Sequence, residues 1–133
     1  MRFLLDTNAV VAVLKNEPRV HTRIDELAVG DVGMPLLVLG ELLYGAHRSA
    51  RRAENLAAVV TLRTLFPVVP VTEAIIERYA ASRAQLAARG RPKADFDLVI
   101  ACTAIEHGAV LVTNDAALKD GAIEGLQVED WLE

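Results

Sequence analysis

Phe3-Leu4-Leu5-Asp6-Thr7-Asn8 is the stretch that decides the fold. Three apolar residues have the length of a short buried strand, and the run stops on an acid followed by two good helix-starting residues. From Thr7 to Leu14 the chain is rich in Val and Ala, so the segment reads as strand, turn and helix. The pattern returns near the other end. Ala109 to Val112 makes a second buried strand, which stops on Thr113-Asn114-Asp115.

Between these two strands the chain alternates short β-like runs with longer helical ones. Pro18 opens a helix to about Ala28, and Gly30-Asp31 breaks it. A third helix covers Leu36 to about Ala46, with Leu36, Leu39, Leu43 and Tyr44 on one stripe. Ser49 can cap a fourth, in which Leu56, Val59, Val60, Arg63 and Phe66 fall at helical spacing. Pro67 to Val71 reads as a strand. Thr72 caps a fifth helix with Ile75, Ile76, Tyr79, Ala80 and Leu86 facing inward, ended by Gly90. Asp95 to His107 is apolar almost all round and belongs in the middle of the fold, with Asp95 as its cap. A tail strand near Leu126-Gln127-Val128, followed by Trp131, completes the chain. This alternation is the mark of an α/β fold built on a parallel sheet, and residues 1–133 read as one domain.

Composition agrees. A chain of 133 residues can bury one core, and 53% apolar with 24% charged residues is that of a globular protein. No apolar run approaches the ~20 residues of a spanning helix. Cys102 is the single cysteine, so no internal disulfide can form. The N-terminus shows no signal-peptide pattern, and the expected location is the cytoplasm. His21, His47 and His107 lack metal-ligand spacing, and no Gly-rich phosphate loop is present.

The net charge of −4 hides an uneven distribution. From Tyr44 to Lys93 nine Lys or Arg face three acids, giving +6, while the rest of the chain carries −10. Solvated helix faces explain this as well as a polyanion-binding surface does, so the asymmetry permits a nucleic-acid substrate without requiring one.

Four carboxylates stand in apolar settings. Asp6 follows Phe3-Leu4-Leu5, Glu41 lies inside the run Leu36 to Tyr44, Asp97 begins the most apolar helix, and Asp115 follows Val110-Leu111-Val112. Each has a duller reading: a cap or turn at Asp6, a helix-dipole partner at Asp97, a turn at Asp115. Glu41, mid-helix among leucines, fits none of these. A buried unpaired carboxylate is expensive, and few cations lie nearby in sequence. In an open parallel sheet the strand ends share one edge, so Asp6 and Asp115 meet there, and Glu41 and Asp97 can reach it from helices. A hard dication would resolve the cost of all four. Oxygen ligands without a Cys or His cluster select Mg²⁺, with Mn²⁺ as substitute, over zinc.

At this point the sequence resembles a known family. Leu-Leu-Asp-Thr-Asn at 4–8, Glu-Leu-Leu-Tyr-Gly-Ala at 41–46, Asp-Leu-Val-Ile-Ala at 97–101 and Leu-Val-Thr-Asn-Asp at 111–115 occur in the order seen in PIN-domain proteins. The Arg-rich segment after Gly45-Ala46, the Gly-Arg-Pro at 90–92 and the tail Trp131 extend the likeness, which is strongest to VapC-type toxins.

The resemblance implies a three-layer fold, with a parallel sheet of about five strands flanked by helices, and a metal-dependent endoribonuclease. Its acidic cluster falls on Asp6, Glu41, Asp97 and Asp115, with Thr7, Asn8 and Thr113 as supporting residues. It also implies a homodimer and a cognate antitoxin partner. Pro35, Gly40 and Lys93-Ala94-Asp95 depart from the family pattern.

The expected chemistry is hydrolysis of RNA by metal-activated water, with Arg48, Arg51, Arg52, Arg89, Arg91 and Lys93 as backbone-phosphate contacts. The alternatives are a housekeeping PIN nuclease that processes RNA and a non-catalytic PIN-like binding module, the latter disfavoured by the complete acidic set. A receiver-like or haloacid-type phosphotransfer domain needs a second acid beside the first Asp, where this chain has Thr7-Asn8.

Overall fold

The computed structural model describes residues 1–28 and 30–133. In chain order the elements are β1 (Phe3–Leu5), α1 (Thr7–Leu14), α2 (Pro18–Asp25), β2 (Val32–Pro35), α3 (Leu36–Arg48) and α4 (Arg52–Leu65). They continue with β3 (Val68–Val69), α5 (Glu73–Ala88), α6 (Asp95–Glu106), β4 (Val110–Val112), α7 (Ala116–Lys119) and β5 (Val128–Glu129). The five strands form one parallel sheet in the order β3-β2-β1-β4-β5, flanked by helices.

The register explains which residues had to be apolar. Phe3, Leu4 and Leu5 pair with Val110, Leu111 and Val112 on one side, while Phe3 and Leu4 pair with Val32 and Gly33 on the other. β1 is thus an interior strand, and all three of its residues are buried. That burial requires the unbroken apolar run Phe3-Leu4-Leu5. Leu98 through Ala104 of α6 are buried without interruption, as its all-round apolarity predicts. α5 and α3 both pack against it.

Several expectations are corrected. β2 was not foreseen, because Val32-Gly33-Met34-Pro35 contains two residues that usually interrupt strands. Both have a reason here. A Cβ on Gly33 would lie 2.8 Å from the Pro67 carbonyl oxygen, so only glycine lets the chain before β3 come this close. Pro35 closes the strand and stands at the residue before α3, where its extended backbone leads into the helix.

The buried face of α3 is Val38, Leu39, Leu42 and Ala46. Tyr44, assigned to that stripe, is 64% exposed, and Leu36 is exposed too. Val60 of α4 and Ile76 and Ala80 of α5 also face outward, and Tyr79 is half-buried. Helical spacing alone does not say which of two adjacent stripes meets the sheet.

Arg51, not Ser49, precedes α4. Ser49 instead ends α3, its hydroxyl donating to the Ala46 carbonyl at 2.7 Å. Asp95 lies within α6 and accepts from the Tyr79 hydroxyl at 2.8 Å rather than capping the helix. β3 and the tail strand are each two residues long, and the latter sits at Val128–Glu129.

Candidate active site

The strand order reverses at the centre of the sheet. From β1 the chain moves to β2 and β3 on one side, then returns to β4 and β5 on the other. The carboxyl ends of β1 and β4 therefore flank the switch point, where open α/β sheets form their clefts. Asp6 is the first residue past β1, and its N–H donates to the Val112 carbonyl of β4 at 2.9 Å.

The side chain of Asp6 is held at both oxygens. Oδ1 accepts from the Thr7 N–H at 2.8 Å, starting α1, and Oδ2 accepts from the Thr113 hydroxyl at 2.7 Å. Asp6 is 5% exposed. Burial pushes its carboxyl above the ordinary value, the hydrogen bonds from Thr113 and Thr7 pull it partly back, and the Glu41 and Asp115 charges push it up again.

Thr113 also accepts from the Asp115 N–H at 3.1 Å, and Asp115 caps α7 by accepting from the Ala117 N–H at 2.9 Å. Across the same edge, Asn8 Nδ2 donates to Asn114 Oδ1 at 3.1 Å. Glu41, on α3, is reached by α1: the Thr7 hydroxyl donates to Glu41 Oε2 at 2.7 Å. Asp97 is half-buried in the first turn of α6. Burial raises its carboxyl first, then the charges of Asp115, Asp6 and Glu41, while Lys93 opposes them.

The four acids, spread over 110 residues of sequence, thus act electrostatically on one another. Among the described residues none of them is paired with a Lys, Arg or His. Nor does any group of three Asp, Glu, His or Cys side chains among those residues already stand arranged to hold an ion. The carboxylates are close enough to repel one another, yet too open to close a coordination shell by themselves. A small hard dication that keeps several waters needs only one or two of them directly, so the donor set fits such an ion.

The duller readings also hold in part, since Asp6 and Asp115 do cap helices. Capping uses one oxygen of each and leaves their mutual repulsion in place.

None of the basic residues is ion-paired with these acids among the described residues, and Lys93 acts on Asp97 by its charge alone. Arg48 covers the Tyr44 ring, 5.9 Å from its centroid, and donates to the Tyr44 hydroxyl at 3.1 Å. Arg51 is 3.6 Å from Glu54, and Arg52 and Arg89 are exposed. Arg91 and Lys93 both meet Asp120. Lys93 is therefore engaged within the protein rather than extended toward solvent.

Sequence reasoning missed Asn114 and Asp120 as partners. The only signal for Asn114 was its place between Thr113 and Asp115. Beside Thr7 and Glu41 a groove of about 540 Å³ opens between α1, α3 and α4, with Val11, Leu14, Leu42 and Val59 along it.

Comparison with known proteins gives a consistent picture. A family model described as PIN domain matches residues 3–124. The tRNA(fMet)-specific endonuclease VapC of Shigella flexneri is 33% identical over 131 residues, 98% of each chain. Ribonuclease VapC1 of Haemophilus influenzae (strain R2866) is 32% identical over 133 residues, again 98% of each. Among solved structures, VapBC-1 from nontypeable Haemophilus influenzae superposes with a TM-score of 0.89 at 30% identity, covering 100% of both chains. DNA-bound VapBC from Salmonella typhimurium gives a TM-score of 0.90 at 29% identity over 98% of both.

Proposed function

The chain belongs to the PIN-domain family and, within it, to the VapC ribonucleases, and from that membership we propose that it is a Mg²⁺-dependent endoribonuclease acting as the toxin of a toxin–antitoxin pair. The observation that carries the catalytic reading is that Asp6, Glu41, Asp97 and Asp115, none of them ion-paired among the described residues, act on one another near the switch point of the sheet.

Asp6, Glu41 and Asp97 would hold the ion, directly or through water, and Asp115 would complete the site. When bound, the dication supplies charge neutralisation at the phosphodiester and activation of water. The protein's own part is preorganisation. Thr113 fixes Asp6 against the end of β4, and Thr7 fixes Glu41 against the start of α1, so two acids from distant segments keep one orientation. Burial keeps Asp6 away from bulk water, which strengthens its pull on any cation that arrives. Exposed Arg48, Arg51, Arg52 and Arg89 are the phosphate contacts in this reading.

The structures of similar chains are toxin–antitoxin complexes, which supports a cognate antitoxin as partner. The reading includes a homodimer, which light scattering of the purified chain tests. Among the described residues no helix is long and apolar enough to cross a membrane.

The experiment is expression of the chain with and without a candidate antitoxin, followed by mapping of RNA ends in the cells. Growth arrest with discrete new ends, both abolished by Asp97→Asn, is the expected result. Normal growth and an intact RNA pool would contradict the toxin reading. RNA processing without arrest would favour a housekeeping nuclease.

A further inference from the structure

Lys93 departs from the rest of the basic segment. Its side chain is 8% exposed, and its ammonium is bonded to the Asp120 carboxylate. Asp120 is the residue that ends α7, and its other oxygen accepts from the Ala122 N–H at 2.9 Å. Arg91 reaches the Lys93-bound oxygen from outside at 3.3 Å.

Burying an ammonium is costly, and a lysine that served only as a phosphate contact would have no reason to bear that cost. The position of the pair supplies one. Lys93 lies in the loop that leads into α6, whose first turn carries Asp97. Asp120 lies at the end of the one-turn helix that begins on Asp115. The Lys93–Asp120 pair, with the exposed Arg91 on the same carboxylate, thus ties together the two segments that present Asp97 and Asp115, and among the described residues no backbone hydrogen bond joins them. Lys93 is also the cation whose charge opposes the three acids acting on Asp97.

We propose that Lys93 is a positioning residue: through Asp120 it fixes the placement of Asp97 relative to Asp115, and thereby the affinity of the acid cluster for a divalent cation. This rests on the metal-dependent reading of the site and adds a residue to it that touches neither ion nor RNA. The two effects of Lys93 on cation binding have opposite signs. As a nearby positive charge it weakens binding, and as half of the clamp it strengthens binding. The clamp dominates, because the ammonium is already neutralised by Asp120, while the exposed Arg91 contact with the same carboxylate is the weaker tie.

The test is Mn²⁺ titration of the purified full chain, followed by electron paramagnetic resonance. Lys93→Met and Asp120→Asn should each weaken Mn²⁺ binding about tenfold, the scale for residues that orient metal ligands. The double variant should be no weaker than either single one, as expected when two groups act as a unit. Lys93→Arg should recover most of the loss. Arg91→Ala, which removes the exposed partner of the same carboxylate, should change binding less than about twofold. Tighter binding in Lys93→Met, or unchanged binding in Asp120→Asn, overturns the proposal.

A wild-type chain that binds no Mn²⁺ would defeat the metal reading instead. The clamp is then judged by amide hydrogen exchange, where Lys93→Met and Asp120→Asn should both speed exchange at 97–99 and at 116–119 together. Unchanged exchange in either segment overturns it.

Discussion

The hydroxyl of Thr113 donates to the buried carboxylate of Asp6 at 2.7 Å, joining the ends of two adjacent parallel strands that are 107 positions apart in the sequence. This bond fixes where one acid of the cluster points, and it keeps a buried charge partly solvated by protein.

Thr113→Val keeps the side-chain shape and removes the donor. One oxygen of Asp6 then stays buried without a partner, at a cost of about 1–3 kcal/mol. Denaturant unfolding should show that loss. Ribonuclease activity should fall about 10–100-fold, the range for residues that orient metal ligands. Full activity would mean that Asp6 needs no fixed orientation.

Thr7→Val separates two roles of α1. The backbone N–H of residue 7 still caps on Asp6, but Glu41 loses its 2.7 Å hydroxyl partner. Because this contact is only partly buried, stability should change by less than about 1 kcal/mol. Turnover should fall about tenfold through a lower kcat. Steady-state kinetics alongside a melting curve distinguish this from simple unfolding.

The acid cluster destabilises the ion-free protein, and the sign can be measured. Burial, against the Thr113 and Thr7 hydrogen bonds and with the Glu41 and Asp115 charges, holds the Asp6 carboxyl above its ordinary 3.8. The folded chain therefore binds that proton more tightly than the unfolded one. Stability falls as pH rises from about 3.8 through the folded-state value, and levels off above it. Asp6→Asn removes the charge and should raise neutral-pH stability by about 1 kcal/mol while abolishing cleavage. Melting temperatures across pH, without metal, should show a shallower decline in Asp6→Asn than in the wild type. An Asp6→Asn chain less stable at neutral pH would contradict this.

Much of this arrangement was legible in the sequence. Asp6 and Asp115 could be placed on one edge because each follows an apolar run too short for anything but a strand, and parallel strands share their carboxyl ends. Glu41 stood out because no cap or turn explains an acid among leucines. β2 was hidden, since its fitness for the sheet lies in what Gly33 leaves out, and local pattern cannot show the approach of the Pro67 carbonyl. The role of Lys93 was equally hidden. Its partner Asp120 is 27 residues away, and a lysine in a basic segment reads as solvated until its burial is seen.

Gly33→Ala tests the packing that brings β2 beside β3. The new Cβ would stand 2.7 Å from the flexible Met1 side chain and 2.8 Å from the Pro67 carbonyl, which cannot swing away. The Met34 N–H bond to that carbonyl, 2.9 Å long, must also shift. A loss of about 1–3 kcal/mol in denaturant unfolding is expected, with the metal site intact in the molecules that remain folded.

The central claim is that acids just past β1 and β4 and on α3 and α6 serve one cation-binding site at one edge of the sheet. Its most direct test is paramagnetic broadening of amide resonances by substoichiometric Mn²⁺. The account predicts early loss of signal at residues 6–8, 41, 97 and 113–115, abolished together in the Asp6→Asn, Asp97→Asn double variant. Broadening centred on other surface acids, or unchanged in that double variant, would contradict it.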